Sequence, residues 1–157
     1  MNMLVLCTGN SARSILLEAI LNHEAGQRVH VWSAGPRPGG SVHPQALALL
    51  RAKGIDTTGA RSKSLDEFAE PDAPRMDIVL ALRAETEADP CPPLSGAPIR
   101  AEWRLDDPAA VPEADQPAAF ARAFATLERR AGALLALPLE TLDAAALTRE
   151  LDRIGSL

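Results

Sequence analysis

The sequence predicts an α/β sandwich, a four-stranded parallel sheet with helices packed on it, carrying one extra helix at the C-terminal end. Two observations predict it. Short apolar runs of strand length alternate with segments whose apolar residues recur at helical steps, and the breaks between them fall at proline and glycine. Strands and helices alternating at this spacing favour parallel pairing through right-handed crossovers.

The elements follow in order. Met3 to Leu6 is an apolar run suited to a central strand, and Arg13 to about Glu24 reads as a helix. Ile15, Leu16, Ala19, Ile20 and Leu21 give that helix a broad apolar face, with Gly26 placed to end it. Val29 to Ser33 is a second strand. Pro44 at a first-turn position, then Ala46, Leu47, Leu49 and Leu50, and Gly54 after Lys53, mark a second helix. Asp77 to Leu82 is the third strand and Pro98 to Glu102 a weaker fourth. Asp115 and Pro117 open a long helix whose Phe120, Phe124, Leu127, Ala131 and Leu134 form one stripe for the sheet. Beyond Pro138 comes a last helix with Leu147, Leu151 and Ile154 on one face and Gly155 as its stop. The proline-rich segments 36–44, 70–74 and 89–98 are loops, none long enough to divide the chain, so residues 1–157 read as one domain.

Composition narrows the function classes. A chain of 157 residues can bury a full core. A net charge of −5 with mixed signs offers no basic stripe for nucleic acid. No apolar run approaches the roughly 20 residues of a membrane span, and the first residues enter a strand with no leader before it. A cytoplasmic, soluble protein is expected. Its two cysteines then read as reactive or incidental, not as a structural disulfide. His23, His30 and His43 lack metal-ligand spacing, so no metal is expected.

The chemistry concentrates near the start. In Cys7-Thr8-Gly9-Asn10-Ser11-Ala12-Arg13-Ser14, five residues separate a strand-end thiol from an arginine that begins a helix. That is enough backbone to wrap a tetrahedral oxyanion. Gly9 supplies conformational freedom, and the amides of Thr8, Gly9, Asn10, Ser11, Ala12 and Arg13 can turn inward as a nest leading into a helix N-terminus. The same partial charge favours the thiolate of Cys7, Arg13 offers a planar fork for two oxygens, and Ser14 can donate to the sulfur. No Gly-Lys-Ser/Thr follows the glycine, so a Mg-nucleotide is not the ligand.

With Trp32-Ser33-Ala34-Gly35 one βα unit later and Asp107-Pro108-Ala109 in the last third, the chain resembles the low-molecular-weight protein tyrosine phosphatases and the arsenate reductases of the same fold. The resemblance covers about residues 2 to 137. It implies a three-layer sandwich, leaves 138–157 as a C-terminal helical extension, and assigns roles residue by residue. Cys7 is the nucleophile, Arg13 the oxyanion ligand, Ser14 the thiolate stabiliser, Asn10 the residue that holds the loop and Asp107 the general acid. Asp106 is the alternative if the register slips by one.

The reductase branch is the closer likeness. Trp103-Arg104-Leu105-Asp106-Asp107-Pro108-Ala109 resembles its acid loop. Ala109 and Ala110 stand where the phosphatases carry aromatics that grip a phenol ring, and the chain has no tyrosine. Thioredoxin-coupled reductases have two further cysteines. Here the loop cysteine matches Cys91, but Arg83 occupies the strand-end position. Cys91 resolves Cys7 directly, or an external thiol such as glutathione does so with a glutaredoxin- or thioredoxin-like partner, or Cys91 is a loop thiol without a role. No bound cofactor is expected. Thiol-dependent arsenate reduction is therefore the leading expectation, with phosphomonoester hydrolysis through a phosphocysteine as the alternative and a silent oxyanion-binding module as the third reading. Finally, Glu18 and Ser33 match an oxygen-lined cluster that holds a monovalent cation in some reductases of the family, and Lys63 stands at its acidic position. Its ammonium is expected to replace the ion and to sit against Glu18 and Asn10.

Overall fold

The computed structural model describes residues 1–83 and 94–157. Four parallel strands, β1 (Asn2–Leu6), β2 (His30–Ala34), β3 (Ile78–Ala81) and β4 (Ile99–Glu102), lie in the order β2-β1-β3-β4. The chain leaves β1 in one direction to reach β2 and returns past it to β3. The order therefore reverses at β1, and the carboxyl end of that strand opens at the switch point where doubly wound sheets bind ligands.

Side-chain alternation builds two layers of core on the sheet. Met3 and Val5 point with Ile78 and Leu80 into a large cluster shared with the helices α1 (Arg13–Ala25), α3 (Gln116–Leu135) and α4 (Ala144–Gly155). Leu4 and Leu6 point the other way, with Val79, into a smaller cluster closed by Leu65 and Phe68 of a one-turn 3-10 helix, Leu65–Phe68, and by Met76 and Leu94. Among the described residues the third layer is thus a thin one of 3-10 turn and loop. The remaining helix, α2 (Pro44–Ala52), packs on α1 and α3. Among the described residues no helix is long and apolar enough to cross a membrane.

The elements match the sequence expectations with local corrections. Each strand end lies within a residue of its expected place, and two 3-10 turns, Pro108–Ala110 and Glu113–Asp115, precede α3. Helix α2 ends as its residues require. Gly54 adopts φ 74°, and Ile55 N–H and Gly54 N–H donate to Leu50 O and Arg51 O. Gly155, by contrast, is not a stop. It is the last residue of α4, and a Cβ there would lie 2.9 Å from Trp103 Cδ1 and 3.0 Å from Glu102 O. Its smallness lets α4 close down on the end of β4.

Candidate active site

The loop from Cys7 to Ala12 is held from outside by its carbonyls. Thr8 O accepts from Arg37 N–H at 3.1 Å, Gly9 O from Gly39 N–H at 3.0 Å and Ser11 O from His43 N–H at 2.9 Å. In a trans peptide each carbonyl points opposite to the next N–H. The amides of Gly9, Asn10 and Ala12 therefore face the interior of the loop. Helix α1 begins immediately afterward, and its N-cap Ala12 provides no side-chain cap for the first-turn amides. The result is a bowl of donors above the end of β1.

The strained position in the bowl is Asn10 and not Gly9. Asn10 has φ 44°, a left-handed conformation that asparagine tolerates because its side chain can bond locally. Its Nδ2 donates to Ser14 Oγ at 2.8 Å, and its Oδ1 accepts from Lys63 N–H at 2.6 Å. Ser14 Oγ in turn lies 2.9 Å from Cys7 Sγ, and Cys7, Asn10, Arg13 and Ser14 are all buried. Among the described residues the buried Thr8 Oγ1 has no hydrogen-bond partner.

Arg13 reaches across the mouth of the bowl. One guanidinium nitrogen donates to Leu82 O at 3.3 Å and Leu105 O at 3.0 Å, tying the residue after β3 to the segment that leads to Asp107. The other lies 3.9 Å from Asp107 Oδ2. Asp107 caps the turn Pro108–Ala110 by accepting from Ala109 N–H at 2.9 Å and stays partly exposed, which leaves its second oxygen able to exchange protons with a ligand in the bowl. Thiol, hydroxyl, guanidinium and carboxyl thus converge on a space lined by inward amides.

The sequence profile described as "Low molecular weight phosphotyrosine protein phosphatase" matches residues 2–151. The chain belongs to this family. An arsenate reductase of Bacillus licheniformis is 35% identical over 105 residues, 66% of this chain and 71% of the relative. A solved structure described as an arsenate reductase in the phosphate binding state is 26% identical, with a TM-score of 0.70 over 86% of this chain and 96% of that one. A thioredoxin-dependent arsenate reductase of Corynebacterium glutamicum is 26% identical, with a TM-score of 0.59 over 80% of this chain and 57% of that longer one.

Beneath the family's loop lies a buried ion pair. Lys63 Nζ is 3.6 Å from Glu18 Oε2, donates to Arg61 O at 3.0 Å and to Ser33 Oγ at 3.4 Å, while Ser33 Oγ donates to Glu18. Burial pushes the Glu18 carboxyl up, against the Ser33 hydrogen bond and the Lys63 charge, and burial pushes the Lys63 ammonium down against the Glu18 charge. The expected contact of Lys63 with Asn10 is corrected in one respect. It is made by the backbone N–H of Lys63, while the ammonium turns to Glu18.

Cys91 lies outside the described residues. Arg83 pairs with Glu102 at 2.6 Å and lines, with Cys7 and Thr8, a cleft of about 170 Å³ on the thinner side of the sheet. Of the histidines, His43 caps α2 through its ring and lies against Phe120, and His30 stacks on Trp32.

Two supporting residues escaped the sequence reading. A Cβ on Gly35 would lie 2.5 Å from both Cys7 O and Thr8 O, so only glycine lets the loop rest on β2. The motif Trp32-Ser33-Ala34-Gly35 flagged the position, but not this reason. Arg130 is buried and donates to backbone carbonyls of the segment leading to Asp107. It stands in an arginine pair on an amphipathic helix, where no local signal separates it from a solvated neighbour.

Proposed function

We propose that the chain is a thiol-dependent arsenate reductase acting through a covalent Cys7–oxyanion adduct. The observation that supports it most directly is the Cys7 sulfur beneath a bowl of inward amides, 2.9 Å from the Ser14 hydroxyl, in a family whose relatives named above are arsenate reductases. In this reading Cys7 thiolate attacks arsenic while the amides and Arg13 take the oxyanion charge. An arsenate hydroxyl leaves as water on a proton from Asp107. A second thiol then attacks Cys7 Sγ. The sulfur–arsenic bond breaks with its electron pair remaining on arsenic, which leaves as arsenite, and a disulfide is formed. Overall, arsenate and two thiols give arsenite, one disulfide and water.

The second thiol is external or Cys91. Arg83 cannot serve, since a guanidinium is no nucleophile here. A thiol reductant, glutathione with a glutaredoxin-like protein or a thioredoxin-like protein, reduces the disulfide and returns Cys7 to its thiol state in the cytoplasm, where thiols are kept reduced. Lys63 acts in place of a bound monovalent cation, its ammonium neutralising Glu18 beside the loop and its N–H holding Asn10. The second reading, phosphomonoester hydrolysis, draws on the same nucleophile, arginine and acid. Ala109 and Ala110 beside the acid weigh against an aryl slot.

Incubating the purified chain with arsenate, glutathione and glutaredoxin, or with a thioredoxin system, and separately with an aryl phosphate, tests the proposal. Arsenite release lost in Cys7→Ser supports it. Phosphate release alone replaces it with the hydrolase reading, and neither product refutes both. Cys91→Ser that keeps full arsenate turnover assigns the resolving thiol to the reductant.

A further inference from the structure

The C-terminal helix docks where the acid loop begins. Trp103 Nε1 donates to Leu151 O at 2.9 Å, and Gly155 presses on the Trp103 ring. The buried Arg130 of α3 lies in the same contact. Its Nη1 donates to Trp103 O at 3.1 Å and Arg104 O at 3.2 Å, and its Nε donates to Leu157 O at 3.4 Å. Burying a cation among backbone oxygens is costly, and burial pushes its ionisation down from the ordinary arginine value. Such a group is a poor choice for packing but a good one for gripping backbone.

What it grips is continuous with the site. Trp103 and Arg104 are held by Arg130, and the next carbonyl, Leu105 O, is held by Arg13 from the active-site side. Two arginines on opposite flanks thus fix three successive carbonyls. Asp107 follows two residues later, 3.9 Å from Arg13.

We propose that Arg130 is a positioning residue for Asp107, and that α4 forms the wall that keeps its guanidinium on the acid loop. The proposal rests on the reading of Asp107 as the general acid. A loosened acid loop penalises proton donation and not nucleophilic attack, so the loss grows with the basicity of the leaving group. In Arg130→Met we expect kcat/KM to fall about 10- to 100-fold for an aryl phosphate with a basic leaving group and less than about 3-fold for one with an acidic leaving group. Arg130→Lys keeps the charge but not the fork and falls between them. Ile20→Ala, a core truncation in α1, serves as a control that lowers stability without this leaving-group dependence.

Amide hydrogen exchange over residues 103–110, measured on the same proteins, reads the clamp without any turnover. Faster exchange there in Arg130→Met or Arg130→Lys, beyond that of Ile20→Ala, supports the clamp. Equal losses for both leaving groups, or unchanged local exchange in Arg130→Lys should the methionine variant fail to fold, overturn the proposal. An unmodified chain that cleaves no aryl phosphate leaves exchange alone to decide the clamp, and inactivity on arsenate as well would refute the functional reading instead.

Discussion

Replacing Lys63 by methionine removes the ammonium while keeping the length of the stem, and leaves Glu18 as an unpaired carboxylate under the loop. Lys63 is 5% exposed and Glu18 18%, so solvent screens the pair weakly. At their 3.6 Å separation the attraction is about 4–5 kcal/mol with an effective dielectric of about 20. Desolvation of both groups offsets much of it. Losing one partner of a buried pair therefore costs more than losing both, about 3–5 kcal/mol. That is a large share of the roughly 5–15 kcal/mol that holds a domain folded. We expect Lys63→Met to lose about 3 kcal/mol in urea unfolding near pH 7.5, and Glu18→Gln/Lys63→Met to recover about 2 kcal/mol of the summed single losses. The pH dependence carries the diagnosis. Glu18 is already raised above its ordinary 4.5 by burial, and without Lys63 it rises further. Stability from a raised carboxyl is present below the unfolded value and lost as pH climbs through the folded one. The Lys63→Met deficit should thus be largest above neutrality and shrink towards pH 5. Glu18→Gln strands a lysine already lowered from 10.5, so its deficit should instead shrink as pH rises. Exchanging sodium for potassium should leave the stability of the unmodified chain unchanged, because the ammonium already occupies the oxygen cluster. A Lys63→Met deficit below about 0.5 kcal/mol and flat from pH 5 to 8 would refute the argument, since it would place both charges in effective contact with water.

Two further outcomes follow from the loop geometry. Gly35→Ala drives a Cβ to 2.5 Å from two carbonyl oxygens and should abolish stabilisation by added phosphate in thermal unfolding; retained phosphate stabilisation would mean that the loop does not need its seat on β2. Asn10→Ala should lose about 2 kcal/mol or more, from left-handed strain plus the orphaned Lys63 N–H, whereas Asn10→Gly removes the strain and recovers about 1 kcal/mol; equal stability of the two variants in urea would discard the strain argument.

The strand and helix order, the Cys7–Arg13 bowl and its place at the end of β1 were legible in the sequence because each rests on neighbours along the chain. A strand-end thiol, a loop of fixed length and an arginine opening a helix are joined covalently, so spacing alone brings them together. Lys63 and its pairing with Glu18 came instead through family likeness, and the detail that its backbone, not its ammonium, holds Asn10 came from the fold. The left-handed turn fell on Asn10 where glycine offered the more obvious freedom, and the Asn10 side chain there bridges Ser14 and the Lys63 N–H. Gly155 read as punctuation and Gly35 as part of a family motif, and only packing showed a close approach at each. The C-terminal helix could have covered the domain or faced a partner. Its docking on β4 was decided by Trp103, Arg130 and Gly155, whose contacts join segments far apart in the chain. Local periodicity determines which residues form an element and which face is apolar. It holds no information about which distant carbonyl a buried arginine will meet, because that depends on how the packed faces come together in space.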